Sequence, residues 1–261
     1  MKVFFFDVDG TMIDAKNGIY NPTEKTKVSI EKLKKLGHKV ILATGRPKCI
    51  LSDEIKALGF DGYITSNGAD VTIGEEQIFQ FVLDEKMVLS LLDNEQNYHY
   101  EVVFESENYL HGRYPENGVF NDLINKYKLS RDTIIKDFNY DLYKAQILFK
   151  EDEFKEEYFN KVSNLIGDNY LVGYENYYFD VLNDKLNKGL GVIKVKEYYN
   201  LDEEDYYAFG DGMNDLQMMN NVYHSVCMNN GHEKIKEISR YITKEVENEG
   251  VYYFLKENNI I

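Results

Sequence analysis

The chain is short of cysteine, of long apolar runs and of basic charge, and each shortage removes a class of protein. Two cysteines, Cys49 and Cys227, are spread over 261 residues. They do not form a C-x-x-C pair and have no histidine beside them. That spacing argues against a disulfide framework and against a structural zinc site. It fits two buried thiols in a reducing compartment. No apolar stretch approaches the ~20 residues needed to cross a bilayer. The opening run Val3–Phe6 is shorter than the apolar core of a secretory signal and ends in Asp7. The protein is expected to be soluble and cytoplasmic. Thirty Lys and Arg face 45 Asp and Glu, leaving a net charge of −15. Such a surface repels nucleic acid and anionic membrane. Neither is expected as a partner, and no obligate protein partner is evident. An anionic substrate would need local positive charge, from a bound cation or from well-placed Lys and Arg.

What is present is an alternation. Val3–Phe6 is a compact apolar run, as expected of a strand buried on both faces. Asn21-Pro22-Thr23-Glu24 predicts a helix start, with Asn21 as the cap and Pro22 at the first helical position. That helix carries Ile30, Leu33 and Leu36 and stops at Gly37. Lys39–Ala43 predicts a second buried strand, Pro47–Leu58 a second helix closed by Gly59, and Tyr63–Thr65 a third strand. This is the rhythm of a doubly wound parallel sheet. It then lapses. Val71–Ile73 and Ile78–Val82 predict a hairpin. Strands follow at Val102–Phe104, Tyr109–His111, Ala145–Phe149 and Tyr177–Leu182, with helices near Val119–Tyr127 and Glu153–Ile166. From Lys188 the first rhythm returns, with a helix at Gly189–Tyr199, strands at Tyr206–Phe209 and Ser225–Met228, and a short helix near Leu216–Met219. The expected fold class is α/β. A Rossmann-like core over 1–82 and 185–261 is interrupted by an inserted α+β domain over 83–184.

Four motifs fall at predicted strand ends or helix starts. In an open α/β sheet, ligands bind outside the carboxyl ends of the strands. Asp7-Val8-Asp9-Gly10-Thr11 places two carboxylates there, which repel unless a cation neutralises them. Mg²⁺ prefers such hard oxygen ligands, and Gly10 permits the turn that aims both acids at one point. The run is not a calcium loop, because Thr11, Met12 and Gly18 break that pattern. Thr44-Gly45-Arg46 offers a hydroxyl, a close approach and a fork-shaped cation suited to phosphate or a carboxylate. Lys188 stands on the first turn of its helix, where a cation is unfavourable unless an anion sits nearby. Gly210-Asp211-Gly212-Met213-Asn214-Asp215 again sets carboxylates at a strand end, spaced to complete a Mg²⁺ site. Each motif alone has an ordinary structural reading. Their order, acid pair, Thr-Gly, Lys and Gly-Asp, gives them their weight.

In that order the chain resembles a haloacid-dehalogenase superfamily phosphatase of the Cof type, which carries a large α/β cap. The resemblance runs over essentially the whole chain. Ser66-Asn67-Gly68-Ala69 resembles the group's turn after the third strand, and Glu249-Gly250-Val251 its C-terminal signature. Met228-Asn229-Asn230-Gly231 departs from the usual Met-Gly-Asn-Ala. The resemblance implies that Asp7 attacks phosphorus and becomes an aspartyl-phosphate. Asp9 then protonates the leaving oxygen and later activates water. It implies Mg²⁺ held by Asp7, the Asp9 backbone carbonyl and Asp211, with Asp215 supporting the shell. Thr44 and Lys188 would bind phosphoryl oxygens, and Asn214 would hold substrate or orient its loop; Gly45 and Arg46, from the residue reading above, are further candidates for phosphate or substrate contact. The implied substrate is a small phosphorylated metabolite, such as a sugar phosphate or a phosphorylated cofactor. A phosphomutase sharing the phospho-aspartate, and a non-catalytic phosphometabolite sensor, are the alternatives. His111 and Arg113 of the insert are further candidates for substrate contact. The five histidines have no metal spacing, and Ser29-Ile30-Glu31-Lys32 is read as part of an amphipathic helix, not as a catalytic S-x-x-K.

Overall fold

The structure is a computed structural model. It describes residues 1–113, 116–126, 129–151, 154–167, 170–175 and 177–261. The chain divides into two compact units. The first comprises 1–46, 51–80 and 187–261; the second comprises 47–50 and 81–186.

In the first unit, β1 (Val3–Phe6), α1 (Glu24–Lys35), β2 (Lys39–Ala43), α2 (Asp53–Lys56), β3 (Gly62–Thr65), β4 (Asp70–Ile73) and β5 (Glu76–Gln80) come before the insert. The insert carries α3 (Glu85–Asn94), β6 (Tyr100–Glu105), β7 (Leu110–Gly112), α4 (Val119–Lys126), β8 (Ile134–Ile135), β9 (Lys144–Phe149), α5 (Glu156–Ile166), β10 (Tyr170–Glu175) and β11 (Tyr178–Asn183). The first unit then resumes with α6 (Lys188–Tyr199), β12 (Tyr206–Gly210), α7 (Leu216–Asn220), β13 (His224–Met228), α8 (Glu233–Ile238), β14 (Tyr241–Thr243) and α9 (Gly250–Glu257).

The strands of the first unit form one sheet in the order β14-β13-β12-β1-β2-β3-β4-β5. It is parallel from β14 to β3, and β4 and β5 run antiparallel at one edge. β1 lies between β12 and β2, with Val3 opposite Tyr206 and Lys39. Its four residues alternate between two cores. Phe4 and Phe6 join Ile30 and Leu33 of α1 and Phe254 and Leu255 of α9 on one face. Val3 and Phe5 join Val192 and Val195 of α6 and Met218 of α7 on the other. Burial on both faces is why β1 reads as an unbroken apolar run. Since β1, β2 and β12 are parallel, their carboxyl ends emerge at one edge of the sheet.

The insert forms a second sheet, ordered β10-β11-β9-β6-β7-β8. Its pairings are antiparallel except β7 with β8. Leu91 of α3 and Val162 of α5 cover one face, packing on Val102, Phe104, Ile147 and Phe179. Phe120 and Ile124 of α4 meet Val103 and Leu148 on the other. That second face also carries a buried cation. Lys144 Nζ lies 3.2 Å from Glu105 and 3.1 Å from Asp180. Burial opposes the Lys144 charge, but the two carboxylates outweigh it and raise its pKa.

Several local expectations change. The cap of α1 is Thr23, not Asn21: Thr23 has extended φ/ψ, and its hydroxyl accepts a hydrogen bond from Thr26 N–H at 3.3 Å. Pro22 therefore lies before the cap. The helix expected over Pro47–Leu58 is two pieces, a 3₁₀ turn at Lys48–Ile50 and the short α2. The Ser52 hydroxyl accepts from Ile55 N–H and restarts the helix there. The strands β8 and β10 are additional. The first has only two residues, and the second is the edge strand of a hairpin with β11. Tyr127 and Glu153, expected as helix ends, lie outside the described residues. Among the described residues no helix is long and apolar enough to cross a membrane.

Removing one partner of a buried ion pair typically destabilises a protein by about 3–5 kcal/mol. Lys144→Met, which removes the cation from between Glu105 and Asp180, is expected to lose stability in that range. Denaturant unfolding of the variant and the parent measures it, and an unchanged midpoint would show the pair to be dispensable.

Candidate active site

Asp7 follows β1 directly, and its N–H donates to Phe209 O of β12 at 3.0 Å. The loop after it is closed on itself, with Met12 N–H donating to Val8 O at 2.9 Å and Gly10 N–H to Ile13 O at 2.7 Å. Gly10 has φ +87°, and a Cβ there would overlap the Asp211 carboxylate. Glycine is thus required twice, by the turn and by the approach of the two acidic loops.

Lys188 opens α6, capped by Asn187, whose side chain accepts from Leu190 N–H at 3.0 Å. α6 sits unusually close to α7. A Cβ on Gly189 would lie 2.6 Å from the Gln217 backbone. That approach carries Lys188 to 0% exposure. Its ammonium donates to Asp7 Oδ1 at 2.5 Å and to Asp215 Oδ1 at 2.6 Å. Asp215 is fully buried, and its second oxygen accepts from Asp211 N–H and Gly212 N–H, each at 2.9 Å. So Asp215 ties Lys188 to the loop after β12.

Carboxylate oxygens of Asp7, Asp211 and Asp215 lie within 4.8 Å of one another. Three carboxylates share one ammonium, so negative charge is in excess. Burial, reinforced by Asp215, holds Asp7 well above the usual carboxylate range. The same two causes push Asp211 up to about 7. Burial opposes the charge on Lys188, yet Asp215 and Asp7 outweigh it and raise its pKa. A buried cluster of hard oxygen donors with uncompensated charge fits a divalent cation. The Asp211 carboxylate, held by Thr11 Oγ1 at 3.4 Å, is the member least committed to protein partners.

Thr44 is buried at the end of β2, and its hydroxyl accepts from Arg46 N–H at 3.1 Å. Gly45 lies against Asn67, whose Oδ1 is buried without a hydrogen-bond partner among the described residues. The expected residues do not all converge. The Asp9 carboxylate stands outside the three-acid cluster and is exposed, gripped by Arg46. Asn214 is also exposed. In the insert, His111 is buried against Ser106 and the Asp137 carbonyl, and Arg113 is bound to Glu95 and the Leu92 carbonyl. Each is thus engaged by its own unit.

Motif reading alone missed the residues that brace the two acidic loops. Asn230 Nδ2 donates to Gly10 O at 2.8 Å, and His232 N–H donates to Asp211 O at 2.8 Å. Both come from the loop after β13, whose departure from the usual pattern was its only signal. Asn229 stays out of the left-handed region, so no glycine is needed there.

The family model described as haloacid dehalogenase-like hydrolase matches residues 4–255. The chain is 30% identical over 260 residues to the protein named "Putative phosphatase YkrA" of Bacillus subtilis (strain 168), covering 100% of this chain and 98% of that protein. It is 28% identical over 264 residues to a phosphoglycolate phosphatase of Methanosarcina acetivorans, covering 100% and 99%. A crystal structure of a hypothetical protein from Geobacillus kaustophilus HTA426 superposes with a TM-score of 0.86 at 26% identity, covering 100% of this chain and 99% of that one. The chain belongs to the haloacid dehalogenase-like hydrolase family, as a phosphoric monoester hydrolase of its Cof-type branch.

Proposed function

We propose that the protein is a Mg²⁺-dependent phosphatase that hydrolyses a small phosphorylated metabolite through an aspartyl-phosphate on Asp7. The observation that carries this reading is the buried Lys188 ammonium fixed against Asp7 by Asp215, at the edge where β1, β2 and β12 end. A carboxylate attacks a phosphate dianion only where their repulsion is masked, and Lys188 supplies a permanent positive charge beside the attacking group. Asp7, Asp211 and Asp215 are the side chains that would hold the cation, with the Asp9 carbonyl proposed beside them. When bound, the cation adds charge neutralisation and polarises the phosphoryl oxygens.

The steps follow from the residues. An Asp7 oxygen attacks phosphorus, the bond to the leaving oxygen breaks, and Asp9 donates a proton to that oxygen. Water then attacks the phosphorus, Asp9 takes its proton, and Asp7 is released with inorganic phosphate. Splitting the reaction lets one carboxyl group serve as acid and then as base. The Thr44 hydroxyl already accepts from Arg46 N–H, so its proton is available to a phosphoryl oxygen. We assign leaving-group recognition to the inserted unit. The relative that is a phosphoglycolate phosphatase supports a small anionic metabolite as the substrate class.

The test is hydrolysis of p-nitrophenyl phosphate by the full chain. Release is expected with Mg²⁺ and not with excess EDTA. Asp7→Asn is expected to abolish release while its unfolding curve matches the parent; retained turnover in that variant would remove the mechanism. Asp211→Asn is expected to weaken Mg²⁺ by more than the ~10–100-fold typical of residues that merely support a ligand. Calorimetric titration of the parent and the variant reads this directly, and equal affinities would take Asp211 out of the metal set.

A further inference from the structure

We infer that Arg46 is a positioning residue for Asp9 and not a ligand of the phosphate; the inference rests on the acid–base role proposed for Asp9. The Arg46 guanidinium meets both oxygens of that carboxylate, Nε to Oδ2 at 2.9 Å and Nη2 to Oδ1 at 2.6 Å. This is the two-pronged geometry in which a guanidinium fixes orientation as well as charge. The face that would otherwise grip a phosphate is thus occupied by Asp9.

Both backbones are held, so the pair defines a position. Arg46 N–H donates to Thr44 Oγ1 at 3.1 Å, and Ser66 N–H donates to Arg46 O at 3.1 Å. Asp9 sits in the self-closed loop between Val8 and Ile13. What remains free is the Asp9 side chain, and Arg46 is the group that fixes it. The two side chains are 32% and 52% exposed. Pairs that exposed contribute little to folding, so what the contact provides is placement. Asp7 needs no such help, because it is buried and anchored by Lys188. Asp9 is the one member of the proposed reacting pair that lies in solvent, and the arginine stands where burial is lacking.

In this role Arg46 exchanges no proton, since guanidinium stays charged throughout. Asp9 gives its proton to the leaving oxygen as the P–O bond breaks, and recovers one from the attacking water. Arg46 sets where that carboxyl group stands during both transfers.

A kinetic cycle tests this with Arg46→Met, Asp9→Asn and the double variant, on phenyl phosphate and p-nitrophenyl phosphate. Misplacing a reacting group can cost ~10²-fold, so Arg46→Met is expected to lower kcat for phenyl phosphate on that order. The loss should be smaller for p-nitrophenyl phosphate, whose leaving group needs less protonation. KM and inhibition by inorganic phosphate should stay within about twofold, and the Arg46 effect should shrink to about twofold once Asp9 is already Asn. An equal factor in both backgrounds, or phosphate inhibition weakened in step with kcat, overturns the inference. So does an Arg46→Met enzyme as fast as the parent. A fully active Asp9→Asn enzyme would instead sink the proposed role of Asp9, which separates the two failures. If Arg46→Met does not fold by circular dichroism, Arg46→Lys keeps the charge without the fork, and the same collapse in the Asp9→Asn background is expected of it.

Discussion

The active-site edge depends on burying one ammonium group between two carboxylates. Lys188 has no exposed surface, and an unpaired charge in such a place would be strongly destabilising. Asp7 and Asp215 make the position tolerable. Much of the surrounding architecture follows from that need. Gly189 lets α6 approach α7, Asn187 caps the helix so that it begins at the lysine, and Asp215 uses its second oxygen to hold the loop that presents Asp211. Removing the charge would leave three acids facing one another, the same cluster that could hold a divalent cation.

The insert contains an independent version of the same solution. Lys144 is nearly as deeply placed as Lys188 and likewise lies between two carboxylates, Glu105 and Asp180. The difference lies in the partners. Asp180 is partly exposed, whereas Asp7 and Asp215 are both buried. The surplus charge at Asp7 is therefore not relieved by water, and its carboxyl group stays above the usual range. One lysine stabilises a sheet face, and the other holds a site in electrostatic tension.

That Asp7, Thr44, Asp211 and Lys188 stand at strand ends or at a helix start was legible, because parallel strands deliver their ends to one edge. The doubly wound sheet was legible for a similar reason: double burial writes itself as an apolar run, as at Val3–Phe6 and Lys39–Ala43. What sequence could not supply was direction. Arg46 was read as suited to phosphate or to a carboxylate, and its fork faces the Asp9 carboxylate, because the choice depends on how two loops turn toward each other. Lys188 resembled any surface lysine until the glycine contacts of α6 set its depth. Asn230 and His232 brace the acidic loops from far along the chain, and no local pattern marks such partners. The start of α1 moved from Asn21 to Thr23, two residues on, where the backbone is extended and the hydroxyl accepts from Thr26 N–H.

The order of the sheet has a consequence for synthesis. β1 is seated between β2, made soon after it, and β12, which lies about 200 residues later in the chain. At ribosomal speeds of 5–20 residues per second, roughly 10–40 s separate the two. During that interval Phe4 and Phe6 lack the strand they stack on, and Asp7 lacks both its lysine and its backbone acceptor at Phe209. The insert, which is continuous but for Pro47–Ile50, is complete before then. The emerging chain therefore carries the whole length of the insert on an open half-sheet, a span in which an apolar strand edge stands exposed to chaperones or to other chains, and the site's residues are all present only when the last quarter has arrived.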